Sequence, residues 1–325
     1  MRILIGLVFI VGLVQCSKQQ NHLPEVHPVN VGADVNEAAA IGEVLFFSPI
    51  LSLDSTISCS SCHIPQFAFA DTARVSAGVH SRAGFRNSPS IFNVAYKKKF
   101  FAEGGVKGLE RATLAPMLTN FEMGVQAPEL MSRIKSDRSL HSNFVEVFGE
   151  NYDYAHVVRA LVAYQFNLRS VDSKYDRILA QNQEADSLWL KGKRLFESNR
   201  LDCSRCHAGV LQRDTLFHDL GLPTDTVVEG GPDYGRGRLT HDRKDFFHFP
   251  TPSLRNVELT APYMHDGSIP TLDSVVRFYE AGGGPRKSNS LRVTFELNDD
   301  EREALMTFLL SLTGEEASRL NSSIN

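Results

Sequence analysis

Two copies of Cys-x-x-Cys-His stand about 140 residues apart: Cys59-Ser60-Ser61-Cys62-His63 and Cys203-Ser204-Arg205-Cys206-His207. Two thiols at this spacing can add across both vinyl groups of one haem, and the histidine that follows can then reach the iron. A zinc ligand pair or a redox dithiol is the alternative for a single copy. A structural zinc site groups four ligands closely, whereas these two motifs lie far apart in the chain. The pattern therefore predicts two covalently held haems c, with Cys59, Cys62 and His63 holding the first and Cys203, Cys206 and His207 the second.

The compartment agrees with that chemistry. Ile3 to Val14 is an apolar run behind Arg2. It is too short for a membrane-spanning helix, which needs about 20 residues, and has the length of a signal-peptide core. The run ends at Leu13-Val14-Gln15-Cys16, which resembles a bacterial lipoprotein signal. Residues 1–16 are thus expected to be a signal, with Cys16 as a lipid-anchored first residue and an exported, periplasmic chain as the result. Gln15 departs from the small residue usual at that point, and an ordinary signal peptide is the alternative. Four cysteines for haem and one for lipid leave none of the five for a disulfide. A formal net charge of −4 carries no nucleic-acid footprint.

The elements that must position these groups are mostly helical. Polar residues 17–34, with Pro24 and Pro28, read as a tether. Val35 to Phe47 has helical apolar spacing, and Lys191 to Phe196 belongs to a similar helix. Both contain Gly-x-x-Leu-Phe, at Gly42 and Gly192, followed by the first haem cysteine 17 and 11 residues later. The chain is thus an internal duplication. Tyr154 to Leu168 reads as an amphipathic helix, and residues 176–186 as the junction between halves. Asn298 and the acidic turn Asp299-Asp300-Glu301 start a last helix, and Gly314 is expected to stop it. The fold expected is mostly α: two class I cytochrome c-like domains in tandem, 35–180 and 181–325, with one haem c each.

From about Glu37 to Gly314 the chain resembles the bacterial dihaem cytochrome c peroxidases and their MauG-like relatives. The matching segments include Ser58 through His63, Arg86-Asn87-Ser88-Pro89, Pro116 through Gly124, Cys203 through His207, Leu254-Arg255-Asn256-Val257, and Pro262-Tyr263-Met264-His265-Asp266-Gly267. The resemblance implies that the N-terminal haem is the peroxidatic one and that the C-terminal haem transfers electrons. Cleaving the peroxide O–O bond needs a group that carries a proton from the near to the far oxygen, and Glu122 matches the family's distal glutamate. The family's switchable distal histidine falls at Val79, with His80 beside it, which favours an open first iron; His80 as a switchable ligand is the alternative. The second iron is expected to take Tyr279 opposite His207, with Met264 as the competing ligand. Phenolate ligation favours ferric iron relative to methionine. A calcium ion is implied between the haems, on the Asn87 side chain and the carbonyls of Thr260 and Pro262.

Two positions depart from the family. Ala102 stands where relatives carry the tryptophan between the haems, although Phe100 and Phe101 adjoin it. Ala112 replaces a distal glutamine. The leading expectation is an exported enzyme that reduces hydrogen peroxide to water with electrons from a small cytochrome c or copper protein. MauG-like oxidative modification of a partner protein is the second reading; Tyr279 favours it and Ala102 opposes it. A non-enzymatic dihaem electron carrier is the third, against which Glu122 argues. Family members are commonly homodimers.

Overall fold

The computed structural model describes residues 30–223, 227–228, 231–288 and 290–323. The signal segment 1–16 and Cys16 lie outside the described residues. Eleven helices are described: α1 Val35–Phe47, α2 Leu109–Leu118, α3 Ala127–Ser136, α4 Arg138–Phe148, α5 Tyr154–Asn167, α6 Lys174–Leu179, α7 Ser187–Phe196, α8 Gly237–Thr240, α9 Leu272–Glu280, α10 Asp299–Leu310 and α11 Glu315–Ser322. Strand structure among the described residues is limited to three two-stranded antiparallel ribbons. They are β1 (Lys99–Phe100) with β2 (Val106–Lys107), β3 (Phe217–His218) with β6 (Phe249–Pro250), and β4 (Val227–Val228) with β5 (Gly231–Pro232). Among the described residues no helix is long and apolar enough to cross a membrane.

The duplication is visible as two crossed helix pairs. In the first, Asp34 caps α1 by accepting from Asn36 N at 2.8 Å, and α1 crosses α5. The crossing point is Gly42, where a Cβ would stand 1.9 Å from the Ala160 carbonyl oxygen. In the second pair, Asp186 caps α7 through Trp189 N at 2.7 Å, and α7 crosses α10. There a Cβ on Gly192 would stand 1.9 Å from the Ala304 carbonyl oxygen. The glycine of each Gly-x-x-Leu-Phe is therefore the position that lets two backbones touch. The leucine and phenylalanine that follow turn inward.

Each pair anchors its own core. Leu45, Phe46, Phe69, Met117, Leu130, Phe144 and Leu161 fill the first. Trp189, Phe196, Leu272, Val276, Phe308 and Leu312 fill the second. Fully buried aromatics such as Phe46 and Phe308 contribute about 3 kcal/mol each. The buried Trp189 indole N–H is satisfied by Ser311 Oγ at 2.8 Å. Between the cores, Arg255 forks onto Asp176 (2.7 Å on one oxygen) and donates to Ser173 Oγ at 3.0 Å, which ties the junction to the second core.

Three local differences from the sequence expectations have physical causes. Val31, expected in the tether, is 2% exposed and packs with Ala38, Ala39 and Ala163, so chain packing begins before α1. The last long helix ends at Leu310 rather than at Gly314, because Gly314 begins a further helix, α11. That helix, assigned by sequence to the second unit, returns to the first: Ala317 sits in the first core and Asn321 Nδ2 donates to the Gln66 carbonyl at 2.8 Å. Its short apolar face, Ala317 and Leu320, gave little periodic signal.

Candidate active site

Both Cys-x-x-Cys-His segments adopt the same turn. Cys59–Ser61 and Cys203–Arg205 are single 3₁₀ turns, and in each the histidine N–H donates to the first cysteine's carbonyl at 3.0 Å. Ser58 and Ser61 close the first turn, with Ser58 N donating to Ser61 Oγ at 3.0 Å. Arg205 Nε donates to Asp202 at 2.6 Å and closes the second. One turn thus carries two thiols and an imidazole toward the same space.

The imidazoles are oriented alike. His63 Nδ1–H donates to the Phe69 carbonyl at 3.1 Å, and His207 Nδ1–H to the Gln212 carbonyl at 3.0 Å. Each ring also faces a proline carbonyl, Pro89 and Pro252 respectively. This fixes the tautomer and leaves Nε2 with its lone pair for a metal. Burial lowers the pKa of both rings, which keeps them in the neutral form that ligation requires. Burial, with the Cys62 charge adding to it, pushes the Cys59 thiol up to about 12; burial and Asp202 do the same to Cys203. Both are held as neutral thiols, the form that adds across a vinyl group to give a thioether. The donor sets fit two haems c.

The surroundings of the first motif are assembled from three segments. Glu122 lies in the turn after α2, pinned by Glu122 N to the Thr119 carbonyl at 2.9 Å and Met123 N to the Pro116 carbonyl at 3.1 Å. Val79 N donates to the Glu122 carbonyl at 2.8 Å. Gly78 permits that approach, since a Cβ there would stand 2.0 Å from the Phe121 oxygen. Burial raises the Glu122 carboxyl above its ordinary value, and its charge reaches Cys62. Val79 is buried beside this turn. His80 turns away from it: its side chain is 52% exposed and its Nδ1 lies 3.4 Å from Asp54. Ala112 is partly buried on α2.

Around the second motif, Tyr279 extends from α9 onto the second core. Burial, reinforced by Cys203 and Cys206, raises its hydroxyl pKa, so the ring lies within electrostatic reach of both attachment thiols. Its hydroxyl has no hydrogen bond among the described residues. Met264 instead occupies a left-handed turn at φ 74°, its carbonyl accepting from Gly267 N at 3.2 Å. It is absent from the side chains packed on that core, where Tyr263 and Tyr279 both appear. Asp214 and His218, paired at 2.8 Å, stand with Cys206 on the other side of the motif.

Between the halves, Asn87 N donates to the His265 carbonyl at 3.0 Å, which brings Asn87 against the turn that holds Thr260 and Pro262. Its Nδ2 donates to the Ala73 carbonyl at 3.0 Å, so Oδ1 remains as an oxygen donor. Ala102 sits on the β1–β2 hairpin after the buried Phe100 and after Phe101, which is 44% exposed. Arg86 opens the Arg86-Asn87-Ser88-Pro89 segment. It forks onto Asp233 of the second half at 2.8 and 2.6 Å and reaches Glu103 at 2.7 Å. A paired signal was also present in the sequence: Pro89-Ser90-Ile91-Phe92-Asn93-Val94 and Pro252-Ser253-Leu254-Arg255-Asn256-Val257. In both, the asparagine is left-handed (φ 61° and 60°), and its amide takes part in the contacts joining Ser170 to Gly314.

Comparison with known proteins bears directly on this arrangement. The sequence model described as Di-haem cytochrome c peroxidase matches residues 36–184, and the one described as Cytochrome c matches residues 190–313. Cytochrome c peroxidase Ccp of Escherichia coli strain K12 is 31% identical over 285 residues, covering 86% of this chain; the chain spans 58% of that relative's length. Cytochrome-c peroxidase IdrP2 of Denitromonas iodatirespirans is 32% identical over 348 residues, covering 96% of this chain and 90% of the relative. Among solved structures, a MauG-like protein associated with microbial copper homeostasis superposes with a TM-score of 0.84 at 30% identity, covering 92% of this chain and 95% of that one.

Proposed function

Because this chain belongs to the di-haem cytochrome c peroxidase family, we propose that it reduces hydrogen peroxide to water with electrons from a small cytochrome c or copper protein. The observation that carries this reading is Glu122, a carboxyl group held in a buried turn on the side of the first motif where Val79 leaves no ligating side chain. When bound, the first haem supplies an iron position for peroxide and the second a store for the donor's electrons. His63 and His207 would hold the irons through Nε2, each oriented by its Nδ1–H bond. Glu122 would take the proton from one peroxide oxygen and return it to the other, which leaves as water. Two electrons and two protons complete the conversion of one peroxide to two waters. Turning His80 toward Asp54 keeps the first site open in the resting protein.

Tyr279 is assigned as the second ligand of the second iron, in preference to Met264, because it packs on the second core within electrostatic range of the Cys203 and Cys206 thiols, whereas Met264 does not pack there. Asn87 Oδ1 with the Thr260 and Pro262 carbonyls is assigned as a calcium site joining the halves. Residues 1–16 are assigned as a lipoprotein-type signal, which makes Cys16 the lipid anchor of an exported protein; a homodimer is the assembly proposed. A second reading, oxidation of a partner protein, is favoured by Tyr279 and by the likeness to a MauG-like structure. Stopped-flow mixing of the purified dihaem protein with peroxide tests the main reading. Rapid reaction of a high-spin first haem, slowed about 10²–10⁴-fold in Glu122→Gln at unchanged haem content, is expected. Two low-spin haems inert to peroxide overturn it.

A further inference from the structure

Two cations near the haem motifs have little carboxylate charge to balance them among the described residues. Lys97 follows buried Tyr96 in the first half, and Arg213 follows Gln212 in the second. They meet across the boundary: Arg213 Nη2 donates to the Tyr96 carbonyl at 3.5 Å, a long bond, while its backbone N–H is spent on the Ala208 carbonyl at 3.0 Å. No acid among the described residues acts on Lys97; the one charge that does is Arg213, which repels it. Among the described residues Arg213 has only its neighbour Asp214, whose carboxylate already accepts from His218 Nε2 at 2.8 Å. Burial and the Arg213 charge push the Lys97 ammonium down to about 8. Two adjacent like charges, both partly desolvated, are unfavourable unless an anion joins them.

The position of the pair identifies the anion. The charge of Lys97 reaches His63, and Arg213 is covalently next to the residue whose carbonyl orients His207. A haem c retains two propionate carboxylates after both vinyl groups have become thioethers. We propose that Lys97 and Arg213 form one carboxylate-binding site between the two haems, taking a propionate from each and linking the prosthetic groups through a shared ionic bridge. The guanidinium has five N–H donors in a plane, enough for a bidentate carboxylate, and the ammonium supplies the second charge. The bridge lies five residues from Ala102, where the aromatic link expected between the haems is missing.

This assignment rests on the two-haem reading, and covalent haem content tests that reading separately. A cation held at a propionate favours the reduced iron. Spectroelectrochemical titration of Lys97→Met is therefore expected to move the first haem about tenfold toward the oxidised state, which is about 59 mV for one electron. Arg213→Met moves the second haem in the same direction, and Lys97→Arg keeps the wild-type values. Propionate bending bands in the resonance Raman spectrum of the wild-type protein, which need no variant, are expected to shift as hydrogen-bonded carboxylates do. Unbonded propionate bands overturn the proposal, as do unchanged potentials in fully haem-loaded methionine variants. Wild-type potentials that follow added phosphate at constant ionic strength overturn it too, since a free anion then occupies the site. A chain carrying no covalent haem overturns both this bridge and the reading beneath it.

Discussion

Glu122 and Tyr279 show how much a single side chain decides. Burial holds the Glu122 carboxyl above its ordinary value of 4.5. As a proton acceptor it works only when ionised, so the rate of the peroxide reaction should rise with pH through a midpoint above 4.5. The Glu122→Gln profile should be flat and low; a midpoint at or below 4.5 in stopped-flow runs contradicts this role. Stability carries the opposite sense. A raised carboxyl stabilises the fold fully below its unfolded value and loses that contribution as pH rises through the folded one. At Tyr279, replacement by Phe should leave both haems attached and alter the visible and electron paramagnetic resonance spectra of the second alone. Unaltered spectra would return Met264 to contention. The attachment residues were legible because covalent chemistry demands fixed spacing. Arg86, Lys97 and Arg213 were not, because their partners lie more than 100 residues away in the chain.

Among the elements, the crossed pairs α1/α5 and α7/α10 were the most readable from sequence. Caps and apolar periodicity are local, and Gly-x-x-Leu-Phe marks both crossings. The reason for the glycine was not local: it is the carbonyl of Ala160 or Ala304, 1.9 Å from where a Cβ would stand. Because backbone blocks the space, no side-chain rotation can relieve it. Gly42→Ala and Gly192→Ala are each expected to cost about 3 kcal/mol in denaturant unfolding of the haem-loaded protein. Each should also disturb only its own haem, Gly42→Ala the first and Gly192→Ala the second. Equal damage to both spectra would mean that the cores do not unfold separately.

For the whole molecule, a buried ion pair joins the halves. The Arg86 guanidinium bridges Glu103 on its own side and Asp233, 3% exposed, on the other. Burial disfavours the Asp233 carboxylate, but the Arg86 hydrogen bonds and charge outweigh it and hold its pKa below the ordinary range. Removing the arginine leaves a buried carboxylate without a partner, so Arg86→Met should cost about 3 kcal/mol and separate the unfolding of the halves in calorimetry. Adding Asp233→Leu should recover most of that loss, and a double-mutant cycle measures the coupling. Sequence indicated two tandem units, but the pairing of Arg86 with Asp233 depends on how they face each other. The return of α11 was hidden for the same reason: Ala317 and Leu320 are unremarkable until the first core is seen beneath them. That return also sets an order of events. A chain that emerges N-terminus first presents Cys59 and Cys62 long before residue 315 exists, so the strap over Pro65–Phe67 closes last. The first half is therefore accessible to whatever attaches its haem until the second half is complete, and a chain cut after Thr313 should lose order in the half synthesised first.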